Sequence, residues 1–510
     1  MKRFTLISAA IAATLTASAQ WNVDNNPVVL SGTETGQIQP KVALTKDGKM
    51  YLAWRTAKSS GKALCYSFPH LQLLDKDGNA LFGVNGLAVS EHRSPSWNSD
   101  YSLVATSDGC AIISNADSRS EEAEDLERYN AFTPVWYKID QEQNFVWGLD
   151  GLALTDRINS PFTDTFVVGD DVWIQDKTAS YDDVNYFNRV TADGTLVFEN
   201  SLPIFGQIIP SIDGDFLSIG SGSNGTSTIA STNSGGHDLH PYRINPDGKG
   251  GAYATWTREV GMFGHTICTQ HVSADGDPTF GLDAMDALAD ENIDINYPKQ
   301  AVDTKNNTVL VTFPEKDGDG NFSFKIQKFN EEGDRLFGDN GKTIETKGED
   351  YAGWAYNNYG VEPVGDGEWL VCYSDRQAWA LEYLYVARIN KDGELVWKQR
   401  IMEEGYITRV SFVKGDDCSY VVYQGEDDVD GTMLKGARIF DNGTFDNGAG
   451  ISTVNENLSK ATSTTIHSID GKLVQTVKGE KYDSANLAPG MYIITTKDAQ
   501  GKTKSMKITK

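Results

Sequence analysis

Cysteine is scarce. Five occur in 510 residues, Cys65, Cys110, Cys268, Cys372 and Cys418, and no two stand in a C-x-x-C pair. That spacing gives no support to a thiolate metal cluster, and the odd count leaves at least one thiol unpaired within the chain. Cysteines of this kind read as small core residues on strands. Of the seven histidines only His237 and His240 have ligand spacing, and no third ligand lies near them. Positive charge is short as well: 45 Lys and Arg face 71 Asp and Glu, a formal net charge of −26. So acidic a surface repels phosphate backbones and anionic lipid, which argues against nucleic acid as a partner and is compatible with neutral glycans or cations. No Gly-rich phosphate loop, nucleophile elbow or Ser-x-Asp-x-Gly-x-Thr-Trp box occurs, and in the nearest string to the last, 273–280, the glycine is misplaced.

Long apolar runs are missing too. Beyond residue 20 none approaches the roughly 18–20 residues of a spanning helix, so no transmembrane segment is expected. The run from Phe4 to Leu15 is too short to span, follows Lys2 and Arg3, and precedes Ala17-Ser18-Ala19. This pattern predicts a signal peptide over residues 1–19, cut after Ala19, and hence an exported protein. No Cys follows the cut, which argues against a lipoprotein anchor.

Glycine and aromatic residues are plentiful, with 49 Gly, 10% aromatics and Asp-Gly or Asn-Gly pairs throughout. Many short strands joined by tight turns would have this composition. A hairpin written clearly at 71–90 returns at 136–155, 326–344 and 385–398, with weaker copies at 186–202, 267–285 and 437–448. Each reads as a strand, an Asp-Gly turn and a second strand opening with an aromatic residue. A different hairpin alternates with it, at 40–54, 101–114, 166–175, 242–256, 299–313, 361–373 and 410–423. Two hairpins make a four-stranded meander of about sixty residues, and a sheet of that kind needs neighbours to cover both faces. The expected fold is therefore all-β, a seven-bladed β-propeller over residues 20–450. Residues 21–31 resemble an orphan fourth strand, and the last unit lacks one. Val28–Leu30 are expected to close the ring beside the strand around Ala437–Phe440, hiding both edges. The stretch 205–240, rich in Ser and Gly toward its end, reads as a loop inserted between blades three and four, with an extra half-blade as the alternative.

After residue 450 the composition turns to Ser, Thr, Asn and Lys, with a linker expected over 451–463 and a small C-terminal β-sandwich over 464–510. The segments 466–474, with its Asp470-Gly471 turn, 487–494, with Leu487, Gly490 and Tyr492, and 502–510, ending in Lys510, occur here in order. This part resembles the C-terminal sorting domain of the type IX secretion system, although the Pro-Asn-Pro segment with which that family usually begins is absent. The resemblance implies the type IX secretion machinery as a partner and delivery to the cell surface or the medium.

In a propeller, the loops after second and fourth strands gather around one channel mouth. Polar residues just past the second strands include Arg55, Asp117, Asp176, Arg258, Asp317 and Arg376. They read either as a solvated rim or as ligand contacts. Arg55, Arg258 and Arg376 have the forked geometry that grips a carboxylate, but no nucleophile and acid pair accompanies them. Trp97, Tyr351, Trp354, Tyr356 and Trp379 fall outside the strand pattern, and Trp354 and Trp379 suit sugar rings, which present apolar faces. Asp317 and Asp319 invite a calcium reading, although the twelve-residue calcium loop is not satisfied and hairpin turns explain most Asp-Gly pairs. No other cofactor is implied. The favoured function is a non-catalytic binding module, for a glycan or a surface protein; an exported glycosidase-like enzyme and a purely structural surface protein are the alternatives.

Overall fold

The computed structural model describes Trp21 and residues 28–30, 36–59, 65–95, 100–119, 132–157, 160, 162–177, 184–205, 207–210, 216–220, 227–228, 243–260, 264–281, 284–289, 294–295, 297–347, 356–378, 381–402, 407–427, 431–445, 461–468, 472–478, 491–498 and 503–509. Among these the chain is all-β. The repeats fold as antiparallel meanders of four strands, with a short fifth strand added in the first sheet by Ser94–Pro95 and in the fifth by Asp294–Ile295; the first is built from Gln37–Leu44, Met50–Ser59, Cys65–Leu74 and Leu87–Ala88. The second has Leu103–Ala105, Ala111–Ser118, Phe132–Ile139 and Leu152–Ala153, and the third Phe162–Val168, Asp171–Lys177, Val184–Val190 and Leu202–Phe205. A fourth begins at Arg243–Pro246, a fifth contains Lys299–Asp303, Thr308–Lys316, Phe322–Phe329 and Lys342–Lys347, and a sixth runs from Tyr356–Gly365 to Leu395–Met402. The seventh joins Ile407–Lys414, Cys418–Asp427 and Gly431–Phe440 to Val28–Val29.

Neither face of such a sheet can stay wet, because strand residues on both sides are apolar. Each hydrophobic cluster among these repeats accordingly spans two neighbouring sheets. Tyr51 and Leu71 pack with Ile113 and Val135, Ile112 and Trp136 with Val172 and Ile174, and so on to Leu370 and Val386 with Val421 and Ile439. The cycle closes where Leu52 and Trp54 of the first sheet meet Tyr420 and Leu434 of the seventh. Burial between sheets is thus the main source of cohesion.

The closing strand pairs on the expected partner but a few residues earlier, Val28 opposite Gly436 and Val29 opposite Lys435. Leu30 N donates to Leu434 O at 3.0 Å. The stretch after residue 205, by contrast, is more than a loop. It forms a three-stranded sheet of Gln207–Pro210, Phe216–Gly220 and Ser227–Thr228. Ile208 packs with Trp173 and Phe187 of the third sheet, Ile209 with Ala252 and Trp256 of the fourth. Three short apolar positions suffice to fill that gap, and the Ser/Gly background masked them.

A second departure concerns the outer strands. The aromatic residues expected to open them lie instead in a wide turn, and in the first, second and fourth sheets the outer strand is two residues long. In the first and fourth sheets a buried amide explains this. Gln72 Oε1 accepts from Leu73 N and Phe82 N at 3.0 and 2.8 Å while its Nε2 donates to Gly83 O at 2.6 Å. Gln270, Gln327 and Asn188 repeat the clamp. Two of the clamped aromatics then cover the turn glycine of the next repeat, Phe280 lying against Gly333 and Phe337 against Gly393, and Trp147 and Trp397 cover Gly194 and Gly443 in the same way without a clamp. Gly393 has φ +81°, so this contact needs glycine twice over, for its conformation and for the missing Cβ.

At the C-terminal end the described strands form one sheet, in the order Leu473–Lys478, Ala461–Ser468, Met491–Asp498, Thr503–Thr509. Its first strand starts at Ala461, inside the stretch expected as linker, and the described residues form one layer where a two-layered sandwich was expected.

Candidate functional site

The ends of the second strands bring the polar candidates to equivalent places in successive sheets, and there each charge meets a partner. Arg55 is fully buried, its Nη2 donating to Asn115 Oδ1 at 3.2 Å and its guanidinium lying 4.7 Å from the centre of the Tyr101 ring. Asn115 Nδ2 donates to Asp117 Oδ1 at 2.6 Å. Asp117 Oδ2 accepts from Tyr137 OH at 2.6 Å, from Ser90 Oγ at 3.2 Å and from Arg119 Nη2 at 3.2 Å. Burial and the neighbouring carboxylate push the Tyr137 phenol well up.

The other rim positions follow the same rule. Arg258 Nη2 lies 2.8 Å from both oxygens of Asp286, which also accepts from Cys268 Sγ at 3.1 Å. Glu315 holds Lys325 with both oxygens, at 2.9 and 2.8 Å. Asp375 pairs with Lys347 from the fifth sheet. Arg376 Nη2 reaches Glu382 Oε1 at 3.3 Å, and Glu382 Oε2 accepts from Ser374 Oγ at 2.7 Å and Asn357 Nδ2 at 3.1 Å. Asp176 accepts from Arg157 Nε at 3.2 Å through Oδ2, and the Ser160 hydroxyl also acts on its carboxyl, whereas Arg157 Nη2 and Arg376 Nε find no hydrogen-bond partner. Burial raises the Asp176 carboxyl to about 6 against the pull of Arg157. The folded state therefore holds this proton more tightly than the unfolded chain, and the stabilisation it gives, complete below the ordinary carboxyl range, is lost as pH rises through about 6.

Asp317 belongs to a hairpin turn. Its Oδ1 accepts from Asp319 N and Asn321 N at 3.0 and 2.8 Å, and its Oδ2 from Asn321 Nδ2 at 3.0 Å, which together hold its carboxyl below the usual range. Among the described residues no group of three or more His, Cys, Asp or Glu is placed to hold a metal. Tyr356 is a core residue, 1% exposed against Phe324 and Tyr373, and so offers no ring to a ligand. Trp97, Tyr351, Trp354 and Trp379 lie outside the described residues, as do Asp470, Gly471, Leu487, Gly490 and Lys510. Tyr492 is buried with Ile466 and Ile494.

Sequence reasoning identified one half of each pair and missed the other. Arg157 and Lys347 end the outer region of the preceding repeat, and Glu382 opens a third strand. For Asp176 and Asp375 the available signal was a charge of opposite sign ending the preceding repeat; for Arg258, Glu315 and Arg376 it was one on a later strand of the same sheet.

No family model matches the chain, and no curated protein matches it. Among solved structures, a protein of unknown function from Dyadobacter fermentans is 12% identical over 81% of this chain and 97% of its own, with a TM-score of 0.39. The Penicillium chrysogenum alpha-L-arabinanase complexed with arabinobiose is 13% identical over 81% and 97%, at 0.34. The phage phi92 endosialidase is 11% identical over 95% and 79%, at 0.35. At these scores the likenesses assign no activity.

Proposed function

We propose that this chain is an exported β-propeller, its seven full repeats forming seven blades with the short sheet after residue 205 as an addition, and that it acts as a non-catalytic module binding neutral glycans. One observation carries the ligand reading. At the sixth sheet Tyr356, the first residue of one strand, pairs with Asp375 near the end of the next, so the chain segments carrying Trp354 and Trp379 leave from neighbouring strand ends. The charges at that edge are matched, Lys347 with Asp375 and Arg376 with Glu382. Two tryptophans close in sequence to a neutral polar edge suit a site for uncharged sugar rings, and the −26 charge disfavours polyanions.

The full mature chain on a glycan array, with a glycosidase screen alongside, tests this. Trp354→Ala and Trp379→Ala are each expected to weaken binding about tenfold, the scale of a lost ring contact. Unchanged binding in the double variant removes the platform, and turnover in the screen replaces the module by an enzyme.

The C-terminal sheet is proposed to direct export through type IX secretion, a reading supported by the order of its three motif segments. A chain ending at residue 450 should then stay inside the outer membrane of the native host. Fractionation that finds the truncated protein outside the cell in full amount defeats the proposal.

A further inference from the structure

Among the described residues, seven other than glycine have positive φ. Four stand where a turn requires it: Gln143, Asn307 and Asp366 in hairpin turns, and Ala284 where Gly86, Gly151 and Gly341 end the outer turns of other repeats. The remaining three, Gln39, Tyr297 and Arg409, have φ of 55°, 51° and 54° with no turn to account for them. Gln39 and Arg409 interrupt the first strands of the first and seventh sheets, and Tyr297 separates Asp294–Ile295 from Lys299–Asp303, which pair with the same strand of the fifth. At each the register slips, and the sixth sheet slips at the matching place, between Asn358 and Gly360. The first strands of the second, third and fourth sheets pair without a slip. The bulges therefore fill one arc of the ring, from the fifth sheet round to the first.

Neighbouring repeats brace these backbones. Gln39 N donates to Gln424 Oε1 at 3.3 Å and its carbonyl accepts from Tyr101 OH at 2.5 Å, while Tyr297 O accepts from Asn358 Nδ2 at 3.1 Å. A bulky residue in the left-handed region is strained, and strain braced in this way marks a place where a bulge aims a side chain for use. Gln39 is buried, but Tyr297 is 50% exposed and Arg409 is exposed. Unlike Arg258 and Arg376, Arg409 has no ion pair or hydrogen bond among the described residues. We propose that Tyr297 and Arg409 flank a site for a neutral oligosaccharide of more than one sugar, which lies across the ends of the fifth, sixth and seventh sheets. Tyr297 offers a ring face to one sugar, and the Arg409 fork donates to adjacent hydroxyls of another. The proposal rests on the reading of the sixth-sheet edge as the glycan site and extends it to both sides. The segment carrying Trp354 enters the sixth sheet at Tyr356, at the end of its first strand where Asn358 reaches Tyr297 O.

The test is an array of neutral mono-, di- and trisaccharides, printed beside uronate-bearing counterparts and probed with the full mature chain. Binding is expected to rise from monosaccharide to trisaccharide. Tyr297→Leu and Arg409→Gly should each weaken trisaccharide binding about tenfold and flatten that rise, while Tyr297→Phe, which keeps the ring, binds as the wild type does. Thermal unfolding supplies a readout that a structural role would move the other way: glycine relieves the backbone at 409, so the midpoint of Arg409→Gly should not fall below that of the wild type. Loss of binding in these variants but not in the Trp354→Ala, Trp379→Ala double variant would remove the tryptophan platform and leave the flanking site standing. Wild-type binding by both Tyr297→Leu and Arg409→Gly, with loss in the tryptophan variant, would overturn the flanking site and leave the platform. The proposal is also overturned if Tyr297→Phe loses as much as Tyr297→Leu, if uronates bind better than their neutral counterparts, if the Arg409→Gly midpoint falls, or if the wild type binds no neutral glycan.

Discussion

Trp21→Ala is expected to lower the stability of the ring by about 3–5 kcal/mol, the range for a buried tryptophan lost from a packed interior. The indole is 1% exposed, its ring centre 5.1 Å from that of Tyr420, and it joins Leu30, Leu52, Trp54 and Leu434 in the cluster between the seventh and first sheets. No other junction depends on the chain's N-terminal strand. Loss of the indole therefore acts twice, by opening a cavity and by loosening the strand that covers the edge of Gly431–Phe440. Gly436→Val separates the two effects: a Cβ at 436 would collide with Leu30 and Trp21, expelling the strand while the indole remains in the sequence. Thermal unfolding and sedimentation check both, with lower midpoints and self-association through the bared edge as the expected result. A monomeric Trp21→Ala protein destabilised by less than about 1 kcal/mol would show that closure lies elsewhere.

The closing strand was legible because it is local and repetitive: an aromatic, a turn and an apolar run match the other outer strands. What the repeat period could not convey is anything that crosses between repeats. Asp176 and Asp375 are visible as rim residues, but Arg157 and Lys347 reach them from the preceding repeat, so the matched charges look in sequence like a free polar ring. Outer strands read too long for a similar reason. The apolar alternation continues through Phe82, yet the Gln72 amide takes up the backbone groups of Leu73, Phe82 and Gly83, and regular pairing resumes only at Leu87. The sheet after residue 205 rests on Ile208, Ile209 and Phe216, too few residues to set a pattern, and Phe216 meets Phe187 at a tilt with ring centres 4.6 Å apart. Tyr356 shows the reverse error, since an aromatic outside the strand pattern turned out to be the first residue of a strand and part of the core.

The other large effect is expected at Asp117, where the distinction between a binding rim and a structural one is sharpest. Asp117→Ala leaves Asn115 Nδ2, Tyr137 OH and Ser90 Oγ without their acceptor and removes the anion facing Arg119, while Asn115 also carries the buried Arg55. Breaking a buried ionic network by deleting one member costs about 3–5 kcal/mol, because the remaining groups stay desolvated. Arg119 is the control. Its side chain keeps 21% of its exposure, and water can replace it, so Arg119→Ala should cost only about 1 kcal/mol despite removing the same ion pair. Chemical denaturation of the two variants measures the difference. Glycan binding by the folded fraction of either protein should equal that of the wild type, since the network lies between the first and second sheets and its oxygens are already engaged. Equal costs for the two substitutions would mean that Asp117 is hydrated and only loosely held. Loss of binding with little loss of stability would make its carboxylate a ligand contact and return the rim to the list of functional surfaces.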